Sequence, residues 1–119
     1  MRRKVLVGGM VLSAILGFFS LSLQAGLALA AENKHVAEAV EHAKEAVEHG
    51  KQGHADVLVK HAEGALKHAE AAQKDMKGNP HLTEGVKGLK DAIEHGKAGH
   101  ADVATKAAES AVMHLSEVK

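Results

Sequence analysis

The chain predicts an all-α fold, an antiparallel up-down-up-down four-helix bundle made from a duplicated helical hairpin. Three observations carry this. Residues 35–73 align without gaps on residues 81–119 at an offset of 46, with 19 identities in 39 positions. Each half carries two histidine ladders with intervals of seven or fourteen residues, which is two or four helical turns. Each half is broken once, by Gly-Lys-x-Gly at Gly50–Gly53 and again at Gly96–Gly99. A repeat of this length is a helix-turn-helix unit that cannot bury its apolar stripe alone.

The elements follow in order. Met1-Arg2-Arg3-Lys4 is a compact cationic start, and Val5 through Leu23 is almost wholly apolar. Ala28-Leu29-Ala30 then fits the small-x-small cleavage pattern of a secretory signal. We read residues 1–30 as a signal peptide that is removed, leaving one four-helix domain at 31–119. An uncleaved membrane anchor is the competing reading, since the run nears the length a bilayer needs. Interior glycines and serines and the cleavage pattern favour removal.

Helices are expected near 33–49, 54–77, 80–95 and 100–118. Gly50 and Gly96 are expected to take the left-handed conformation that ends a helix, and Gly53 and Gly99 to release the chain into the next. Asp56 and Asp102 fall in the following first turns, where the helix dipole favours an anion. Gly78-Asn79-Pro80 joins the halves, with Asn79 suited to the N-cap and Pro80 to the first helical position. Short connections make neighbouring helices antiparallel.

A helical wheel centred on His54 places Leu58, Ala62, Ala65, Ala69, Ala72 and Met76 within about 80° on one side, with Leu66 near ~120°. Lys60, Glu63, Lys67, Glu70 and Lys74 lie opposite. In the first helix Val36, Ala39, Ala43, Ala46 and Val47 form the equivalent stripe. The histidines flank these stripes, neither at their centre nor on the solvated back. Gly85 and Gly88 fall inside the third helix, each costing up to about 1 kcal/mol relative to alanine, so that helix should be the least stable.

Composition narrows the function. Residues 31–119 hold 12 lysines, no arginine, 15 acidic residues and all ten histidines, a net charge of −3 with histidine neutral. Both phenylalanines fall in the signal segment. With no basic excess and no aromatic to stack on a base, nucleic acid is excluded as a partner. The chain has no cysteine, so an exported domain of this kind cannot be stapled by disulfides. Its core is alanine, valine and leucine, which buries little area per residue, so the domain should be only marginally stable without a ligand. No nucleophile stands with a base at suggestive spacing, and no glycine-rich loop could cradle phosphate. An enzyme is not expected.

The chemistry lies in the histidines. Imidazole is the commonest protein ligand for transition metals. His35, His42 and His49 form one ladder, and His54, His61 and His68 a second. His81 with His95, and His100 with His114, form two more that lack the middle rung. Pairing within each hairpin sets His49 beside His54, His42 beside His61, His35 beside His68, His95 beside His100 and His81 beside His114. Successive levels lie ~10.5 Å apart, from seven residues at 1.5 Å rise. The missing rungs, Gly88 and Ala107, then face each other, so one whole pair is lost and five remain. Pairing between hairpins would instead strand His42 and His61.

All ten histidines are therefore candidate metal ligands. Glu38, Glu45, Glu84, Asp91 and Glu117 stand three or four residues from a histidine and could ligate or orient an imidazole. Solvated surface carboxylates are the plainer reading, and they are not counted as ligands. Nitrogen with oxygen and no thiolate suits Cu(II), with Ni(II) and Zn(II) below it in affinity. Only Met76 and Met113 remain for the softer Cu(I). Calcium and magnesium want all-oxygen shells.

Glu41-His42-Ala43-Lys44-Glu45-Ala46-Val47-Glu48-His49-Gly50-Lys51 and Asp91-Ala92-Ile93-Glu94-His95-Gly96-Lys97, with the signal segment and the paired His-Gly-Lys-x-Gly-His turns, resemble the small metal-binding protein family. The likeness covers nearly all of residues 35–119. It implies a periplasmic, monomeric four-helix bundle that binds several divalent ions, copper foremost, and serves metal management. The chain departs from it at Gly88 and Ala107.

The expected function is thus exported metal buffering, scavenging or detoxification, with metal ions as partners and no stable membrane association after signal cleavage. The alternatives are a metallochaperone that delivers copper to a partner protein, and an acid-responsive helical protein that holds no metal.

Overall fold

The computed structural model describes residues 33–119, and the expected signal segment lies outside them. Residues 33–119 form one compact unit by themselves. It is all-α: α1 spans Lys34–Lys51, α2 Ala55–Asp75, α3 Pro80–Lys97 and α4 Ala101–Ser116. The most extensive packing is of α1 on α2 and of α3 on α4; α2 with α3 and α1 with α4 close the bundle. Among the described residues no helix is long and apolar enough to cross a membrane.

The caps explain where the helices begin. Asn79 Oδ1 accepts from the amides of His81 (2.9 Å) and Leu82 (3.2 Å), with Pro80 in the first helical position. Asn33, its equivalent at the repeat offset, accepts from His35 (2.8 Å) and Val36 (3.3 Å). This second cap lies just upstream of the aligned segment and was missed in the sequence. Its amide also donates to Asp75 at the far end of α2.

The turns differ from expectation in one respect. Gly50 and Gly96 do not take the left-handed conformation; they are buried and lie inside helices that run two residues longer than predicted. The left-handed residues are Gly53 (φ 83°) and Gly99 (φ 84°), and Gly78 (φ 80°) in the central connection. Gly53 donates to Gly50 O at 3.0 Å and His54 to His49 O at 2.9 Å. Gly99 and His100 repeat this with Gly96 and His95 at 3.0 and 2.9 Å. That pair of bonds is a Schellman motif with glycine in the residue after the cap.

Gly50 and Gly96 serve close approach instead. A Cβ on Gly50 would collide with Thr105 Oγ1 and lie 2.6 Å from Leu58 Cδ1. A Cβ on Gly96 would lie 2.5 Å from Val59 Cγ2. Val59 falls outside the apolar arc of the wheel, yet it is buried because α3 comes so near at Gly96. The two contacts are equivalent at the repeat offset, as are the ion pairs Lys51–Glu109 (3.6 Å) and Lys97–Glu63 (3.9 Å).

The core is the alanine-rich stripe that the wheel marks, with Leu58, Leu82, Leu89 and Leu115 as its largest fully buried side chains. Their counterparts at the repeat offset, Ala104, Val36, Ala43 and Ala69, are all smaller. Size changes compensate locally: Leu115 fills the space over Gly85, where a Cβ would lie 2.6 Å from its Cδ2. Thr105 is the one buried polar residue among those described, and its hydroxyl donates to Ala101 O at 2.6 Å.

Candidate metal centre

The Schellman turn that ends α1 also builds the first rung of the site. Its outer hydrogen bond ties the backbone of His49 to that of His54, which starts α2. The rings of these two residues follow, with centroids 6.2 Å apart. Seven residues back along α1 and seven forward along α2, His42 and His61 stand 6.0 Å apart. One further step brings His35 and His68 to 5.8 Å. Between α3 and α4 the same turn sets His95 and His100 at 6.1 Å, and His81 and His114 at 6.0 Å. All five expected pairs are brought together.

The sixth position is a packing contact. A Cβ on Gly88 would lie 3.1 Å from Ala107 O and 3.2 Å from Ala111 Cβ. The α4 backbone thus occupies the space where rings stand between α1 and α2. At the equivalent level of the first pair of helices, the His42 ring lies over Gly64, 3.6 Å from a Cβ placed there.

Levels also touch along the ladder between α1 and α2. His42 stacks on His68 (5.6 Å, 7°) and His49 on His61 (5.3 Å, 4°). Six imidazoles therefore form one unbroken series: His35, His68, His42, His61, His49, His54. The rings sit at the edge of the apolar stripe, as the wheel places them. His54 and His100 are exposed, and the other eight are half-buried.

Two carboxylates, not counted as ligands on their spacing, stand against the rings. Glu38 Oε1 lies 3.1 Å from His68 Nδ1 and 4.0 Å from His35 Nδ1. Glu45 Oε1 lies 3.1 Å from His61 Nδ1 and 3.3 Å from His42 Nδ1. Each reaches across from α1 to the ring on α2. In both clusters, His35–Glu38–His68 and His42–Glu45–His61, the three donor atoms lie within 4.8 Å of one another. Spacing alone could not select them, because Glu84 and Glu117 also follow a histidine by three and join no such group among the described residues. At the third level Gln52 stands where the carboxylate would be.

The donor set fits a borderline divalent ion. Bonds near 2.0–2.2 Å to imidazole nitrogen and carboxylate oxygen put donors ~3–3.6 Å apart around it, so each cluster would close by about 1 Å through side-chain rotation. The Nδ1 atoms of His35, His42 and His49 are buried and have no hydrogen-bond partner. Such atoms are rare in a folded interior and are relieved by a hydrogen bond, a water or an ion.

A family model described as Small metal-binding protein matches residues 10–118. The chain belongs to that family. No curated relative matches the chain. Membership and geometry agree on the ligand class: a metal ion, with two His/Glu groups of this small helical bundle disposed to hold one.

Proposed function

We propose that this protein is an exported sink for divalent transition metals, Cu(II) foremost and Ni(II) or Zn(II) below it, held between paired histidines on neighbouring helices. The observation that carries the reading is the register of the five ring pairs, two of them closed by a carboxylate. Several like sites with open coordination positions suit buffering, where capacity matters more than selectivity. The affinity order for nitrogen and oxygen donors places Cu(II) highest.

We read the bundle as up-down-up-down and its halves as duplicated hairpins. The partners in the ring pairs run in opposite numerical order, and the Gly50 and Gly96 contacts repeat at the sequence offset; both support this. The signal segment and its cleavage pattern favour the periplasm as the working compartment.

The test is a titration of residues 31–119 with Cu(II), Ni(II) and Zn(II), counting bound ions by native mass spectrometry and following Tm. More than two Cu(II) ions with a raised Tm is the expected result. A single ion of one metal would favour delivery to a partner protein. A chain left metal-free by equilibrium dialysis at neutral pH would sink the metal reading and leave the acid-responsive helical protein.

A further inference from the structure

We propose that divalent ions load the two hairpins unequally: the first two enter the His35–Glu38–His68 and His42–Glu45–His61 clusters as adjacent neighbours, and the bare pairs His81–His114 and His95–His100 fill after them. This rests on the metal-binding reading above and goes beyond it in assigning an order to the sites.

The first ground is the donor set. Each cluster in the first hairpin offers two nitrogens and one anionic oxygen, already within 4.8 Å of one another. The second hairpin offers two nitrogens per pair. Glu84 is the counterpart of Glu38, but it is exposed and joins no three-donor group among the described residues. Asp91 is the counterpart of Glu45 and has no ring pair at its level, because Gly88 and Ala107 stand there. A third ligand with a negative charge favours any divalent ion at the first hairpin.

The second ground is preorganisation. Along the first hairpin the middle-rung rings brace the outer ones, with His42 flat against His68 and His61 flat against His49. His68 Nδ1 also lies 3.1 Å from Glu38 Oε1. In the second hairpin the bracing rung is gone, and the close approach of α4 at Gly88 leaves no room for a ring. His114 and His95 thus lack the stacked neighbour that fixes His68 and His49. A site held in the binding geometry loses less side-chain freedom when the ion arrives.

The two clusters can be occupied together. One heptad separates their levels by ~10.5 Å, and each supplies its own carboxylate to offset the charge of its ion. Because His68 of one cluster stacks on His42 of the other, an ion that orders either ring restrains both. The third level, His49–His54, is stacked on the ladder but has Gln52 in place of a carboxylate, so it fills between the two groups.

Zn(II), which is diamagnetic, tests the order on isotope-labelled residues 31–119 with each imidazole followed by NMR. The first two equivalents should move the ring signals of His35, His42, His61 and His68. Those of His81, His95, His100 and His114 should move only beyond two equivalents. The variant Glu38→Gln/Glu45→Gln keeps side-chain shape, and both residues are exposed enough to leave the fold intact. It should weaken the first two sites by about 10–100-fold and bring the hairpins into the same range. Uniform movement of all ten rings from the first equivalent, or earlier movement in the second hairpin, would overturn the proposal. An unchanged order in the double variant would overturn the carboxylates as its cause. Zn(II) that is not retained, with no ring signal moving, would instead count against metal binding itself.

Discussion

Replacing glycine by alanine at three positions separates three physical effects that the fold combines. At Gly64 the new Cβ lies 3.6 Å from the His42 ring, an ordinary contact, so only helix propensity changes. Gly64→Ala should stabilise by up to about 1 kcal/mol. At Gly53 nothing lies within 4 Å, but φ is +83°. The left-handed conformation costs an L-residue ~1–2 kcal/mol, partly offset by ~0.4–1 kcal/mol from a less flexible unfolded chain. Gly53→Ala should therefore destabilise by roughly 0.5–1 kcal/mol. At Gly50 the same helix-propensity gain meets a collision with Thr105 Oγ1 and a 2.6 Å approach to Leu58. Overpacking of this kind costs ~1–3 kcal/mol, which leaves Gly50→Ala destabilising by about 1–2 kcal/mol.

Thermal unfolding followed by circular dichroism reads all three, at about 4–8 °C per kcal/mol for a domain of this size. The expected order of Tm is Gly64→Ala above the parent, then Gly53→Ala, then Gly50→Ala. Adding Thr105→Ala should relieve part of the Gly50→Ala cost, with a coupling of at least about 0.5 kcal/mol between contacting residues. A Gly50→Ala chain as stable as the Gly64→Ala chain would refute the close approach of α1 and α4. A Gly53→Ala chain with an unchanged Tm would refute the Schellman geometry that sets His49 beside His54.

Other outcomes follow from the same structure. Leu89→Ala empties a fully buried site and should cost ~2–5 kcal/mol in chemical denaturation. Metal retention should fall on acidification, since a protonated ring cannot ligate; dialysis with Cu(II) across a series of falling pH measures it. Ion concentrations a hundredfold above Kd should add about 2.7 kcal/mol of stability, visible as a Tm that rises with added Cu(II) and returns on chelation. Expression with export should yield a mature chain starting at Ala31, read by N-terminal sequencing; an intact N-terminus would refute cleavage after Ala30.

Much of the architecture was legible because it rests on periodicity. The heptad spacing put the histidines at the margin of the alanine stripe, and the loss of histidine at Gly88 and Ala107 together, as a facing pair, indicated which ladders meet. Asn79 and Pro80 marked a helix start through local chemistry alone. The turn was harder. Gly50 and Gly53 are both suitable residues to end a helix, and only the hydrogen bonds distinguish the one in the left-handed conformation from the one that admits a neighbour. Asn33 caps its helix as Asn79 does, but with Lys34 and not a proline after it nothing flanking it marks a helix start.

The carboxylates show where sequence stops. Glu38, Glu45, Glu84 and Glu117 share the same spacing from a histidine, and on one helix they are indistinguishable. The decisive contacts, Glu38 to His68 and Glu45 to His61, cross from one helix to the next. They depend on interhelical distance and on rings braced by stacked neighbours. The chain alone determined the helices, their apolar faces and the level of every histidine, because these follow from residue order along a 3.6-residue period. Only the tertiary structure decided which glycines turn and which pack, and which two of five histidine pairs have a carboxylate oxygen within reach, because each is settled by atoms remote in sequence.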